Sequence, residues 1–369
     1  MMAEKNGAPA AAADATTPEV TLERVNVAPA QTWNRLRTND ITLTVPARGR
    51  AGDVYFSLPR LFEGVECGMG RAVTEWAESQ AAGARYVEIP RGERRAEPVV
   101  VAVGTDEVAD TGVMVREGAE VTIVVAAGAD AGAEKDGEAG TSASLLRVIA
   151  EAGARVHLYE YVLVGAGQQH LESVGITAGR DARVDVHQRL LGGDTVALGL
   201  ACDLADARAR IDLDCRYHAG GSEVLDINEI VRQRGRNTRS ELSYSGVLED
   251  AARKGLRTTI DLVHGAKGAQ GNEAETVLVL GDDVVNKTLP TILCDEDDVA
   301  GNHGATIGSV SPEQLTYLAD RGLSREDAEQ LFVRALYEEA LMNAPCPEAR
   351  LLIGDSPQLT ETFDEVEEA

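Results

Sequence analysis

The sequence predicts a mainly β protein: a core of short stacked strands followed by a helical C-terminus. Three observations carry this reading. From about Pro98, short apolar runs recur with Gly or Asp between them: Val99–Val103, Val121–Ala126, Leu145–Ala150, Val156–Leu163, Val184–Leu190, Val196–Ala201 and Ile211–Cys215. The composition is 44% hydrophobic but only 4% aromatic, with four Phe. Val, Leu, Ile and Ala must therefore fill the interior, which suits many stacked strands. Third, the chain echoes itself. Gly153-Ala154-Arg155-Val156-His157-Leu158 resembles Asp181-Ala182-Arg183-Val184-Asp185-Val186, and then Ala209-Arg210-Ile211-Asp212-Leu213, with the arginines 28 and 27 residues apart. A period in this range marks units that bury a face on their neighbours. Alternating pairs such as Val156/Leu158 and Val184/Val186 turn one face of each strand inward. A parallel β-helix or β-solenoid accounts for the echo; an antiparallel sandwich would also give many short strands.

Taken in order, residues 1–17 are low in complexity and read as disordered. Residues 18–94 form a mixed N-terminal domain. Within it Ile41–Val45 reads as a strand, and Met69–Ala82 as a helix with Met69, Val73 and Trp76 on one face and Gly83 as its stop. Residues 95–310 are the stacked-strand core, interrupted by a Gly-, Ala- and acid-rich loop over Gly128–Thr141. Residues 311–345 turn helical. Glu313–Arg321 ends at Gly322, a natural residue for the position after a helix. Ser324 then caps a second helix, with Asp327 completing a capping box. That helix runs to about Asn343 with Ala328, Leu331, Phe332, Ala335, Leu336 and Ala340 on its apolar side, and Pro345 and Pro347 end it. Residues 346–369 read as an acidic tail, frayed over Asp355–Ala369.

Charge and motifs narrow the function. With 61 acidic and 35 basic residues the net charge is −26. That argues against non-specific nucleic-acid binding and against docking on an anionic membrane. No run of about 18 apolar residues suggests a transmembrane helix. The N-terminus lacks a basic stretch followed by an apolar one, so a cytoplasmic location is expected. The five cysteines form no CxxC pair, and their spacing indicates neither a disulfide framework nor a zinc site. Four clustered thiolates, the usual holder of a stable iron–sulfur cluster, are missing. No GxSxG, P-loop or GxGxxG in a strand–turn–helix context occurs.

One segment stands apart. Asp297-Asp298-Val299-Ala300-Gly301-Asn302-His303-Gly304-Ala305-Thr306-Ile307-Gly308 sets a histidine among small residues, which reads as an open turn. A neutral imidazole there can bind a transition metal. Asp295, Glu296, Asp297 and Asp298 lack the alternating spacing of a calcium loop. Cys294 reads as a thiol buried at a strand end, close enough in sequence to converge with His303. His157, His170, His187, His218 and His264 fit no ligand pattern and read as structural or surface residues.

The same residues carry a resemblance. Asp297-Asp298-Val299, His303-Gly304-Ala305-Thr306-Ile307-Gly308, Glu313-Gln314-Leu315, Tyr317-Leu318, Arg321-Gly322-Leu323 and Glu326-Asp327-Ala328 follow in order. Arg234-Gly235, Ser240-Glu241-Leu242, Gly246-Val247-Leu248 and Asn286-Lys287-Thr288-Leu289-Pro290 add to them. Over roughly residues 145–342 the chain resembles the SufB/SufD family of the SUF iron–sulfur cluster assembly system, its SufD members most of all. The resemblance implies a right-handed parallel β-helix flanked by helical N- and C-terminal segments, and a non-catalytic scaffold role. It implies pairing with a SufB-like subunit, with a homodimer possible in isolation. A SufC-like ABC ATPase would dock on the helical segment through Gln314, Leu315, Tyr317, Leu318, Arg321 and Gly322. It places His303 on the SufD histidine associated with a transient cluster at the subunit interface, and suggests reduced flavin in the complex. Glu275 aligns with a SufB cysteine, Gly304 with a SufB glutamate, and Gly301 with a position where SufD members often carry Cys. A SufB-like homodimer using Cys294 and Glu275 is the alternative. A β-helix polysaccharide lyase, supported only by the acidic turn 295–298, is a remote one.

Overall fold

The computed structural model describes residues 18–30, 38–47, 56–128 and 139–360. Residues 1–17 and 361–369, and most of the insert after Gly128, lie outside that range. β1 (Glu19–Val25) and β2 (Ile41–Pro46) pair antiparallel, and α1 (Arg71–Gln80) follows. The chain then alternates between two parallel eight-stranded sheets. One holds β3 (Ala84–Ile89), β5 (Val108–Val115), β7 (Gly140–Ala150), β9 (Gln168–Ala178), β11 (Thr195–Leu204), β13 (Val224–Gln233), β15 (Arg253–Leu262) and β17 (Val285–Cys294). The other holds β4 (Val99–Val103), β6 (Glu120–Ala127), β8 (Arg155–Val162), β10 (Arg183–Leu190), β12 (Arg210–Ala219), β14 (Arg239–Leu248), β16 (Gln270–Val279) and β18 (Ala300–Gly308). The result is a β-solenoid of about seven turns. The C-terminus supplies α2 (Pro312–Ala319), α3 (Arg325–Asn343), α4 (Pro347–Gly354) and α5 (Pro357–Thr360). Among the described residues no helix is long and apolar enough to cross a membrane.

The sequence echo is the coil. Arg155, Arg183, Arg210 and Arg239 are direct neighbours on successive strands, so each Ala-Arg step opens one turn of the solenoid. The preceding corner bends in the left-handed region at Gly153, Asp181, Arg208, Asn237 and Gly268. Gly and Asn adopt this conformation readily; Asp does so more readily than most, and Arg does not. Hydrogen bonds between coils fix it: the Asp181 amide donates to Ala207 O (3.0 Å), Arg208 to Arg236 O (2.9 Å) and Asn237 to Lys267 O (2.9 Å). Parallel strands stacked in register exclude the antiparallel sandwich.

Inside, rows of Val, Leu, Ile and Ala face each other from the two sheets and form one continuous core. The strands that the sequence left unread, such as β9, β13, β15 and β16, carry polar residues on this inward row: His170, Glu172, Glu229, Lys254, Glu273 and Glu275, all buried.

Both flanks pack on the solenoid's outer faces. The N-terminal segment crosses the β9–β13 face so closely that a Cβ on Gly199 would lie 2.4 Å from the Met69 amide nitrogen. Asn26 Nδ2 donates to Asp226 Oδ1 (2.7 Å), and Arg257 holds both Asp226 oxygens (2.9 and 2.8 Å). On the other sheet Arg189 forks onto Glu339 of α3 (2.9 and 2.9 Å) and reaches Asp214 (2.8 Å). Tyr337 donates to Leu191 O and meets His218 Nδ1 at 3.0 Å. Much of the expected apolar side of α3 packs here, with Phe332 and Leu336 against the buried cluster, and Val333 and Tyr337 join it. Val333, Tyr337 and Ala340 are buried with Ala328, whereas Ala335 is exposed. The tail also departs from expectation: α4 buries Ala349, Leu352 and Ile353, and α5 follows over Pro357–Thr360.

Candidate functional site at the open end of the solenoid

β17 and β18 are the last strands of their sheets, and all nine residues of β18 are exposed. Such an edge offers unpaired backbone donors and acceptors to a further strand. Parallel register sets the side-chain rows. Gly301 stands over Gly271, His303 over Glu273, Ala305 over Glu275 and Ile307 over Val277. The lower members of each pair are buried, so His303 belongs to the inward row at the mouth of the interior. It lies in a strand, not in the open turn expected from its small neighbours. Gly, Asn and Ala are poor strand formers, and the parallel ladder to β16 overrides their preference. Gly304, whose Cβ position faces the other side of the strand, has nothing within 4 Å of it.

Beneath the mouth sits a buried charged cluster. Glu275 is paired with Lys254 and also accepts from the Tyr217 hydroxyl (2.9 Å) and the Thr288 hydroxyl (2.6 Å). Lys254 is 1% exposed and Glu275 2%. Burial pushes the Lys254 pKa down, and the adjacent carboxylate opposes that shift. Glu275 thus has three side-chain partners, Lys254, Tyr217 and Thr288. Glu273, next to it in the inward row, has its carboxyl raised to about 7, mainly by burial. Cys294, expected to be buried, is exposed, and its thiol donates to Glu296 O (3.3 Å). Among the described residues no three His, Cys, Asp or Glu are arranged to hold a metal ion. His303, Cys294 and Glu275 therefore do not converge into a ligand set within one chain. In the acidic turn, Glu296 accepts from the Gly265 amide (3.0 Å) and the Asp297 amide (3.1 Å), which hold its carboxyl below the usual range.

Deeper in, polar side chains run along the axis. Ser142 meets His170 Nδ1 (2.9 Å), and His170 Nε2 meets Glu172 (3.2 Å). Gln188 donates to Glu160 (3.0 Å), and Tyr244 donates to Glu229 (2.5 Å). One oxygen on each of Glu160, Glu172, Gln188 and Glu229 has no partner. Burial raises Glu172 and Glu229 each to about 8, and lowers His170 to about 3. Glu160 is raised by burial first and by Glu172 second. Charged forms are disfavoured throughout this dry interior. His170 was legible only as a structural histidine, and the acids were not singled out. Their signal is parity: Glu229 shares the inward row of β13 with Leu225, Ile227 and Val231.

The expected docking residues are surface-borne. α2 buries none of its side chains. Gln314 is committed in part, because its side chain accepts from the Ser311 amide (3.0 Å) in a capping box. Tyr317 is 56% exposed with the Arg321 guanidinium stacked 3.5 Å over its ring. Leu315 and Leu318 are half-buried, and Gly322 takes the positive φ of 87° that ends the helix. A cavity of about 800 Å³ lies between the corner loops and α4–α5. Asp194, Glu223, Glu249 and Asp355 line it and oppose a phosphate.

Comparison with known proteins agrees with this architecture. The family model described as SUF system FeS cluster assembly, SufBD core domain, matches residues 101–336. The iron–sulfur cluster assembly protein SufD of Escherichia coli (strain K12) is 24% identical over 273 residues, 71% of this chain and 63% of that protein. SufD of Bacillus subtilis (strain 168) is 28% identical over 160 residues, 43% of this chain and 36% of that protein. A SufBD family protein of Mycobacterium leprae (strain TN) is 26% identical over 219 residues, 57% of this chain and 56% of that protein. The matches thus span less than two thirds of each relative's length. The chain belongs to the SufBD family of SUF iron–sulfur cluster assembly proteins.

Proposed function

We propose that this member of the family acts as a SufD-like, non-catalytic subunit. Its open solenoid end would pair with a SufB-like subunit, and its helical C-terminal segment would dock a SufC-like ABC ATPase. The observation that carries the reading is the exposed strand β18, which brings His303 to the mouth of the interior at an unpaired sheet edge. Edge-to-edge pairing there supplies backbone hydrogen bonds. The cluster is cargo, held while it is built. This chain offers it one imidazole, because Glu275 is neutralised by Lys254 and Cys294 stands outside any ligand group. A thiolate from the partner would complete a site weak enough to release its contents. The exposed α2 with its Tyr317–Arg321 stack is the candidate ATPase contact, through which ATPase movement would open or close the paired ends.

The test is co-expression with SufB and SufC homologues, followed by anaerobic reconstitution read by visible absorbance. Wild type should co-purify with both. His303→Ala should keep the complex and lose most of the cluster yield. Failure to co-purify overturns the subunit assignment; an unchanged yield removes His303 from the site. Tyr317→Ala should release the ATPase alone.

A further inference from the structure

The repeated arginines stand outside the apolar packing of the coil. Ala154, Ala182 and Ala209 are buried beside them, and so are Val156, Val184 and Ile211. Arg155, Arg183 and Arg239 are exposed, and Arg210 is half-buried. Strand pairing places the four side by side on one outer face, about 4.8 Å apart. Like charges in direct register repel, so stacking them works against the fold. Within the row only Arg210 is neutralised closely, by Asp212 (2.5 Å to each oxygen). Arg155 lies 4.0 Å from Glu120. Arg183 and Arg239 have no ion pair or side-chain hydrogen bond among the described residues. Arg180 and Arg236 are exposed at the adjoining corner, where Arg208 pairs with Asp181. This strip stands on a chain of net charge −26.

We propose that this arginine ladder is a docking strip for an acidic helix of a partner protein. The argument is charge complementarity and pitch. A helix lying along the solenoid axis returns a side chain to the same face every 5.4 Å or so, close to the roughly 4.8 Å step of the ladder. Over four rungs the mismatch of about 2 Å is within the reach of flexible arginines. An extended segment repeats each face only every 6.8 Å or so and falls out of step after two rungs. Two residues further along each strand runs a second row, Asp185, Asp212 and Glu241. It repels a uniformly charged polyphosphate or nucleic-acid backbone, but accepts a helix with a lysine stripe beside its acidic one.

The test uses the full chain and fluorescence anisotropy. The probe is a labelled helical peptide of about 20 residues with Glu repeated at i, i+4 and i+7 on one face and Lys on the next. It should bind in a salt-sensitive manner. Arg183→Glu/Arg239→Glu should weaken binding tenfold or more while keeping the wild-type circular dichroism and melting temperature. Should that variant fold poorly, Arg183→Gln/Arg239→Gln should still weaken binding severalfold. The proposal is overturned if wild type does not bind, or if either folded variant binds as well as wild type. It is equally overturned if a scrambled peptide of the same composition binds equally well, or if oligothymidylate or polyphosphate binds the strip more tightly than the peptide.

Discussion

Replacing Lys254 by Met isolates the one interior charge that bears on the candidate site. Lys254 and Glu275 are each at most 2% exposed, with Tyr217 and Thr288 as the other partners of the carboxylate. Without the ammonium, Glu275 has two choices. It can stay charged and unpaired, costing about 3–5 kcal/mol. Or it can take up a proton, which for an ordinary Glu carboxyl costs about 4 kcal/mol at pH 7 and about 1 kcal/mol at pH 5. The cheaper route sets the loss, so destabilisation should be about 3–4 kcal/mol at pH 7 and shrink by about 1.4 kcal/mol for each pH unit below that. The sign follows from linkage. A carboxyl whose folded pKa is raised penalises the fold only above its unfolded pKa, so acid relieves the defect. Lys254→Met/Glu275→Leu should recover most of the loss, since an apolar pair of similar volume replaces the ions without stranding either. Urea unfolding followed by circular dichroism at pH 5 and 7 reads all three chains. A loss under about 1 kcal/mol at pH 7, or one that does not shrink at pH 5, would refute the view that Lys254 neutralises Glu275.

The remaining acids predict a pH dependence of the wild type. Glu172 and Glu229, raised to about 8 by burial, retain protons in the fold that the unfolded chain releases. Stability should therefore fall between about pH 4.5 and pH 8, and Glu229→Gln should reduce that slope by up to about 1.4 kcal/mol per pH unit, measured by urea titration across the range. Gly199→Ala should cost about 1–3 kcal/mol because its methyl would meet the Met69 backbone, whereas Gly304→Ala, with open space around it, should melt with wild type. Arg189→Ala removes the fork to Glu339 and the bond to Asp214. It should detach α3 and expose the segment after Leu323 to limited proteolysis at a protease level that leaves wild type intact; equal resistance would mean that Tyr337 and its apolar neighbours hold the helix alone.

How much of this was legible follows from which residues face inward. Strands with apolar inward rows were read from the sequence, as Val184–Leu190 and Val196–Ala201 illustrate, because alternation marks them. β13, β15 and β16 escaped because Glu229, Lys254, Glu273 and Glu275 sit where a periodicity argument requires apolar side chains. β18 escaped for a different reason: it has no buried face at all. The caps of α2 and α3 were readable from Ser311, Ser324 and Asp327, since capping is a local matter. The burial of Val333 and Tyr337 on α3 was not, because it depends on Arg189 and His218, more than a hundred residues away in the chain.

These failures are not scattered. A sequence that specifies its fold satisfies propensity, pattern and burial together, and breaks those rules where something else is required. Here the breaks follow the inward row from His170 and Glu172 through Glu229 and end, at the last coils, in a buried lysine–glutamate pair, a glutamate at the next inward step with its pKa raised to about 7, and a glycine-rich edge strand bearing the imidazole. An apolar interior capped by a helix would be more stable and would close the solenoid. On the proposed function, a polar floor beneath this exposed edge would face a charged, transient cargo from one side and a second strand from the other. The same logic explains why Glu275 is a paired ion. Lys254, Tyr217 and Thr288 all converge on its carboxylate, so the interior charge is balanced within the last coils.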